Sequence, residues 1–213
     1  MSNSIRVLLA DDHPFVRAGI RAILSAESDI TLIAEASNGH EARQMSVDMQ
    51  PDILLLDLRM PGPAPTETVP YVRERCPNTR VLILTAYDDE VYVRRMASLD
   101  IAGYVLKEEA TESIVRAIRA IMNGETWFSR AILAKLIQYQ QGQNQRTPEQ
   151  LLTTRERQIL DLLIEGWDNA RIAHSLNLAE QTVRNHLSRI YMKLDVRSRA
   201  EAIVWAREQL LPK

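Results

Sequence analysis

Cysteine is almost missing from this chain. Cys76 stands alone in 213 residues, so no internal disulfide can form and a disulfide-stapled scaffold is excluded. Long apolar runs are also missing. None approaches the ~18 residues of a membrane span, and the opening MSNSIRVLLA lacks the basic-then-apolar order of a signal peptide. These absences predict a cytoplasmic chain with no membrane partner. Charge of one sign is lacking too. A net charge of −2 excludes a uniformly basic nucleic-acid coat, although it leaves room for one basic face. The chain contains neither G-x-x-x-x-G-K-[ST] nor G-x-G-x-x-G, so it is not expected to bind ATP itself. His13, His40, His174 and His186 show no metal-ligand spacing with Cys76 and are read as packing, capping or phosphate-contact residues. With 46% apolar and 25% charged residues, what remains is an ordinary globular composition.

Two textures divide the chain near residues 140–150. Up to about Asn123, strand-length apolar runs alternate with amphipathic stretches. The runs are IRVLLA (5–10), ITLIAEA (30–36), ILLL (53–56), VLILT (81–85) and GYVL (103–106). They are nearly continuous rather than alternating, as in strands covered on both faces. The stretches between begin near Pro14, Gly39, Thr66, Asp89 and Thr111; the last carries Ile114, Ile118 and Ile121 on one helix face. This pattern predicts an α/β doubly wound domain with a five-stranded parallel sheet over residues 1–124. Residues 127–139 read as one further helix and YQQGQNQRTPEQ as a linker, making 125–150 a linker helix plus flexible linker. Residues 151–213 show only four short helical segments, an all-α domain. Thr153 with Glu156 and Ser198 with Glu201 fit capping boxes that start two of them. Charge follows the same division: net −4 before residue 151 and net +2 after it.

Asp11 and Asp12 follow the first run directly, and Asp57 follows the third. If the first and third strands are neighbours, three carboxylates meet at one sheet edge, and only Lys107 after the fifth run offsets them. Such a cluster repels unless a cation joins it. Oxygen ligands alone favour a hard ion, which points to Mg²⁺. Thr85 ends the fourth run and adds a hydroxyl. A carboxylate beside Mg²⁺, a hydroxyl and an ammonium suits acceptance of a phosphoryl group, with Asp57 as nucleophile. Strand-end aspartates that merely cap helices are the plainer explanation, but they account poorly for the whole set. A Mg²⁺-dependent phosphohydrolase is the rival chemistry. Its D-x-D-x-T motif would need an acid two residues after Asp57, where Arg59 stands.

The segments DDHPFVRAGI, LLLDLRMPG, LTAYD and GYVLK occur in order over about residues 4–123 and resemble the receiver domain of two-component response regulators. The resemblance implies a regulator rather than an enzyme, with Asp57 phosphorylated by a partner histidine kinase. It places Asp11, Asp12, Asp57 and the backbone carbonyl of Arg59 around the metal, and marks Tyr104 as the aromatic that turns inward when Thr85 moves toward the phosphoryl group. Pro63-Ala64-Pro65 departs from the family pattern. It restricts a loop that often moves on phosphorylation, and with Pro70 it predicts a late start of the third helix, near Thr66 or Thr68. Arg59 and Tyr87 are bulky at positions expected to border the site and to hinder attacking water.

Residues 179–194 form an amphipathic helix. Val183, Leu187, Ile190, Tyr191 and Leu194 make one stripe. Gln181, Arg184, Asn185 and Ser188 lie opposite, flanked by Arg189 and Lys193. Amide and guanidinium groups on one face suit base edges in a major groove, and basic flanks suit phosphates. A short helix near Asn169–Leu176 precedes it at helix-turn-helix spacing. LTTRERQILDLLIEG, DNARIAHSLNL, TVRNHLSRIYMKLDVRSR and AEAIVWA resemble the LuxR-type effector domain of the NarL/FixJ response regulators over about residues 151–207. That resemblance implies a four-helix helix-turn-helix domain binding double-stranded DNA as a homodimer, with the last helix as a dimer contact. Arg184, Asn185 and Ser188 fall where the family contacts bases; Thr182, His186 and Arg189 lie nearer the backbone. Ala179 stands where the family commonly has a Ser N-cap. The alternative is a phosphorylation-independent DNA-binding regulator whose receiver binds a ligand or partner.

Overall fold

The computed structural model describes residues 4–86, 90–140, 152–194, 196 and 198–210. They form two compact units divided between Gln141 and Gly142.

All five apolar runs of the first unit are strands: β1 (Ile5–Ala10), β2 (Ile30–Ala36), β3 (Ile53–Leu56), β4 (Arg80–Thr85) and β5 (Gly103–Leu106). They pair in parallel in the order β2-β1-β3-β4-β5. Helices α1 (Pro14–Ser25), α2 (Gly39–Met49), α3 (Pro65–Arg75), α4 (Glu90–Ala97) and α5 (Ala110–Met122) connect them. One core cluster joins Val7, Leu9, Leu55, Leu84 and Val105 to Ile20 and Leu24 of α1 and to Ile114, Ile118 and Ile121 of α5. The predicted α5 stripe is therefore what seals one face of the sheet.

Three details differ from expectation. The sheet has a sixth strand, β6 (Trp127–Phe128), paired in parallel with β5 through Gly103↔Trp127 and Tyr104↔Phe128. Residues 127–139 are thus not one helix: α6 (Arg130–Gln140) begins after β6, packs on α4, and belongs to the first unit rather than to a separate linker. A two-residue strand is too short to leave a periodicity, which is why it was hidden in the sequence. Helix α3 starts at Pro65, earlier than predicted, because Pro at N1 lacks an N–H that would be spare anyway. Pro70 is accommodated inside α3. The loop before α3 is seated on α2: the Gly39 N–H donates to the Pro61 carbonyl at 2.8 Å, and a Cβ on Gly39 would lie 2.7 Å from the Pro63 carbonyl oxygen.

The second unit is helical: α7 (Thr154–Ile164), α8 (Asn169–Ser175), α9 (Glu180–Lys193) and α10 (Arg199–Leu210). The predicted capping box at Thr153–Glu156 is complete, and Ser198 Oγ accepts the Glu201 N–H at 3.2 Å. Asn177, at φ +52, ends α8, and Gly166, at φ +84, follows α7. Ile159, Leu160, Leu163, Ile172, Val183, Leu187, Ile190, Leu194, Ala202 and Ala206 are the buried core. Trp205 packs against it; Trp167 is half-buried with the Arg171 guanidinium 3.9 Å from its ring centroid. Among the described residues no helix is long and apolar enough to cross a membrane.

Candidate functional site

Strand β1 pairs with both β2 and β3, so the chain order reverses there, and in open α/β sheets ligands bind beyond the strand carboxyl ends at such a point. The register carries this edge across the sheet. Ala10 faces Leu56, Leu56 faces Ile83, and Thr85 faces Leu106. The residues that follow, Asp11, Asp57 and Lys107, therefore emerge at one end, with Thr85 level with them.

The side chains converge. Ligand atoms of Asp11, Asp12, His13 and Asp57 all lie within 4.8 Å of one another. Lys107 Nζ is 2.8 Å from Asp57 Oδ2 and 2.7 Å from Asp11 Oδ2, so one ammonium bridges two carboxylates. Asp11, Asp57 and Thr85 are buried, while Asp12 is part-exposed. Burial pushes the Asp57 carboxyl above the usual range; Lys107 opposes this, and Asp11 and Asp12 add to it. Burial would lower the Lys107 ammonium, but Asp57 and Asp11 outweigh it and hold it above its ordinary value. Among the described residues, the one ammonium of Lys107 against three carboxylates leaves a deficit of positive charge. Asp57 Oδ1 is buried without a hydrogen-bond partner, a costly state unless a cation or a new bond satisfies it. That orphaned oxygen and the carboxylates of Asp11, Asp12 and Asp57 fit a hard divalent ion.

Two neighbours were missed in the sequence. His13 was read as packing, capping or phosphate-contact, yet Nδ1 lies 2.7 Å from Asp12 Oδ1 and its backbone N–H donates to Asp11 Oδ1 at 2.9 Å. Its position directly after the acidic pair was the available signal. Arg17, one turn into α1, donates to the Asp11 carbonyl at 2.6 Å and lies 3.5 Å from Glu35, anchoring the β1–α1 loop. Tyr104 is fully buried on β5, and the Ser129 N–H after β6 donates to its carbonyl at 3.2 Å. Arg59 is half-buried in the loop after β3. Tyr87 lies outside the described residues.

In the second unit, α8 ends one short turn before α9, the predicted helix-turn-helix. Val183, Leu187, Ile190 and Leu194 are buried, leaving Gln181, Arg184 and Ser188 exposed and Thr182, Asn185, His186 and Arg189 half-exposed. The polar face is linked to itself. Gln181 Nε2 donates to Asn185 Oδ1 at 3.3 Å, Arg184 Nε to Gln181 Oε1 at 3.1 Å, and Ser188 Oγ to the Arg184 carbonyl at 3.1 Å. Glu180 Oε2 lies 3.4 Å from Arg184 Nη1. Ala179 caps α9 without a side-chain hydrogen bond. Lys193 is a correction. It was expected to flank the DNA face, but its side chain is buried and its ammonium is held by Glu156 at 2.9 Å. Three residues after Ile190, it falls on the border of the apolar stripe rather than on the polar face.

Known proteins share both units. The family described as response regulator receiver domain matches residues 7–119, and the bacterial regulatory proteins of the luxR family match residues 150–206. The nitrate/nitrite response regulator protein NarL of Escherichia coli (strain K12) is 34% identical over 206 residues, covering 95% of each chain. The oxygen regulatory protein NreC of Staphylococcus epidermidis (strain ATCC 12228 / FDA PCI 1200) is 34% identical over 215 residues, covering 97% of this chain and 99% of its own. Among solved structures, RcsB from Salmonella enterica serovar Typhimurium, bound to a promoter in the presence of phosphomimetic BeF3-, aligns with a TM-score of 0.63 at 25% identity, covering 95% of this chain and 98% of that one.

Proposed function

The chain belongs to the response regulators that join a receiver domain to a LuxR-type DNA-binding domain, a two-component transcriptional regulator, and from that premise we propose how its own residues carry the switch. Asp57 accepts a phosphoryl group from a sensor histidine kinase. A carboxylate oxygen attacks phosphorus, the phosphorus–nitrogen bond of the donor phosphohistidine breaks, and the imidazole leaves as an acyl phosphate forms. Asp11, Asp12, Asp57 and the Arg59 carbonyl would hold Mg²⁺, which when bound offsets charge on the phosphoryl oxygens. Lys107 supplies a second positive centre from its position between Asp57 and Asp11. Thr85 offers a hydroxyl donor to the phosphoryl group, and Tyr104 follows Thr85 as the switch aromatic. Arg59, half-buried in the loop after β3, hinders attack by water. The observation that carries this reading is the buried Asp57 carboxylate with Lys107 on one oxygen and no partner on the other.

On the other unit, α9 enters the major groove. Arg184 and Asn185 exchange their hydrogen bonds with Gln181, and Ser188 its bond to the Arg184 carbonyl, for base edges, and Thr182, His186 and Arg189 contact the backbone. One such module makes few contacts, so a phosphorylated homodimer binding two half-sites is expected. The regulator works in the cytoplasm, where a kinase and DNA are both accessible.

Treatment with a small phosphodonor and Mg²⁺ tests the switch by mass spectrometry. A gain of one phosphoryl group that disappears in Asp57→Ala supports it. A gain that survives the substitution, or none in the wild type, overturns it. Footprinting with and without the phosphodonor tests the DNA half, with stronger protection expected after phosphorylation.

A further inference from the structure

A lysine at the end of an exposed helix ordinarily runs its stem along the surface and keeps the ammonium in water. Lys193, the last residue of α9, is turned the other way. Its Nζ lies 2.9 Å from Glu156 Oε2, with side-chain exposures of 4% and 2%. That same oxygen accepts the Thr153 N–H at 2.8 Å and the Thr153 hydroxyl at 2.9 Å. A single carboxylate oxygen therefore joins the first turn of α7 to the last turn of α9. Burial would push the Glu156 carboxyl up, but Lys193 and the Thr153 donors outweigh it and hold it below its ordinary range.

Such a pair contributes little net stability compared with apolar side chains of the same volume, because desolvation offsets the attraction. The apolar grip on α9 already comes from Val183, Leu187, Ile190 and Leu194. Apolar contacts are non-directional, however, and tolerate small rotations or slides of a helix along its seat. Charge-assisted hydrogen bonds have fixed lengths and angles, and do not. The second structural consequence is separation of roles along α9. Arg184 and Ser188 are exposed and Asn185 half-exposed, whereas Lys193 faces the body of the unit.

We propose that Glu156 and Lys193 are positioning residues for DNA recognition: their ion pair sets the rotation and axial register of α9 against α7, so that Arg184, Asn185 and Ser188 reach base edges together. The proposal rests on the reading of α9 as the recognition helix. Lys193 touches no DNA in this arrangement, and its effect passes through Glu156 and the α7 capping box.

The test uses the full chain treated with phosphodonor, a 30-base-pair duplex selected by the wild type from a random library (~30 base pairs leaves room for two half-sites), and a scrambled duplex. Lys193→Met alone strands a buried carboxylate, so the working variant is Lys193→Met with Glu156→Gln, whose amide oxygen still accepts from Thr153; circular dichroism verifies its fold. Affinity for the selected duplex should fall about tenfold, the equivalent of roughly one good base contact. Affinity for the scrambled duplex and the slope of log K against log salt should not change. If the folded double variant binds the selected duplex like the wild type, the pair is only structural and the proposal fails. It also fails if both affinities drop and the slope weakens by about 0.9, the signature of a lost phosphate contact. Arg184→Ala separates the underlying reading: selected-duplex binding that survives it unchanged removes α9 as the reader, whatever the pair does.

Discussion

At the scale of single residues, the acidic pocket is a place where function opposes stability. Asp57 is buried among like charges, Lys107 offsets it in part, and its carboxyl is raised above the ordinary value. A group with a raised folded-state pKa binds its proton more tightly when folded. Its contribution is most favourable below the unfolded value, about 3.9 for aspartate, and is lost as pH rises through the folded value. Asp57→Asn removes the charge and keeps the shape. In metal-free buffer the variant should therefore melt higher than the wild type at neutral pH, and the gap should close in acid. Thermal unfolding at a series of pH values, with EDTA present, reads this directly; a variant less stable at every pH would contradict it. The same residues explain what was legible. Asp11, Asp12, Asp57, Thr85 and Lys107 were each found as the polar residue closing or following an apolar run, because parallel strands of one sheet end at a common edge. Lys193 was misplaced because helical spacing gives direction but not depth, and a long stem can turn inward to a partner 37 residues away. His13 reads only as a packing, capping or phosphate-contact residue in the sequence, since one imidazole beside two aspartates has no spacing rule.

At the scale of elements, continuous apolar runs made every strand of four residues or more visible, and capping boxes located α7 and α10. What escaped was β6, which exists through backbone pairing with β5 rather than through its own pattern. Gly103 shows how close that pairing is. A Cβ there would lie 2.5 Å from the Trp127 carbonyl oxygen and 2.9 Å from Leu82 Cδ1. Gly103→Ala should thus push β6 outward and destabilise the first unit by about 1–3 kcal/mol, the usual cost of overpacking. Denaturant unfolding followed through Trp127 fluorescence would report it, and an unchanged midpoint would mean that β6 yields freely. The recognition helix offers the opposite case, an improvement left unused. Ala179 provides no side-chain oxygen for the first N–H groups of α9. Ala179→Ser supplies one and should stabilise the second unit by about 1 kcal/mol. The check is a higher melting temperature with no change in the phosphodonor reaction at Asp57.

At the scale of the whole chain, two units carry opposite electrostatic designs: an acidic pocket short of cations, and a helical unit whose buried charges are matched. Composition disclosed the net difference in charge, but not that Glu156 and Lys193 are withdrawn from the surface total. The two designs predict opposite responses to acid. Glu156 has a depressed folded-state pKa, so its contribution is complete above the unfolded value, about 4.3, and is lost as pH falls through the folded one. Glu156→Gln leaves Lys193 buried without its counter-charge, which should cost the second unit about 3–5 kcal/mol at neutral pH. In strong acid the wild-type carboxyl is itself protonated, and the two proteins should unfold alike. Replacing Trp127 with Phe leaves Trp167 and Trp205 as reporters, both in the second unit, so their fluorescence isolates its unfolding. A wild-type advantage that persists unchanged into strong acid would show that Glu156 acts through shape and hydrogen bonding alone. An advantage that fades with pH would tie the stability of the helical unit to the ionised pair, in contrast to the pocket of the receiver, where losing a charge is expected to help.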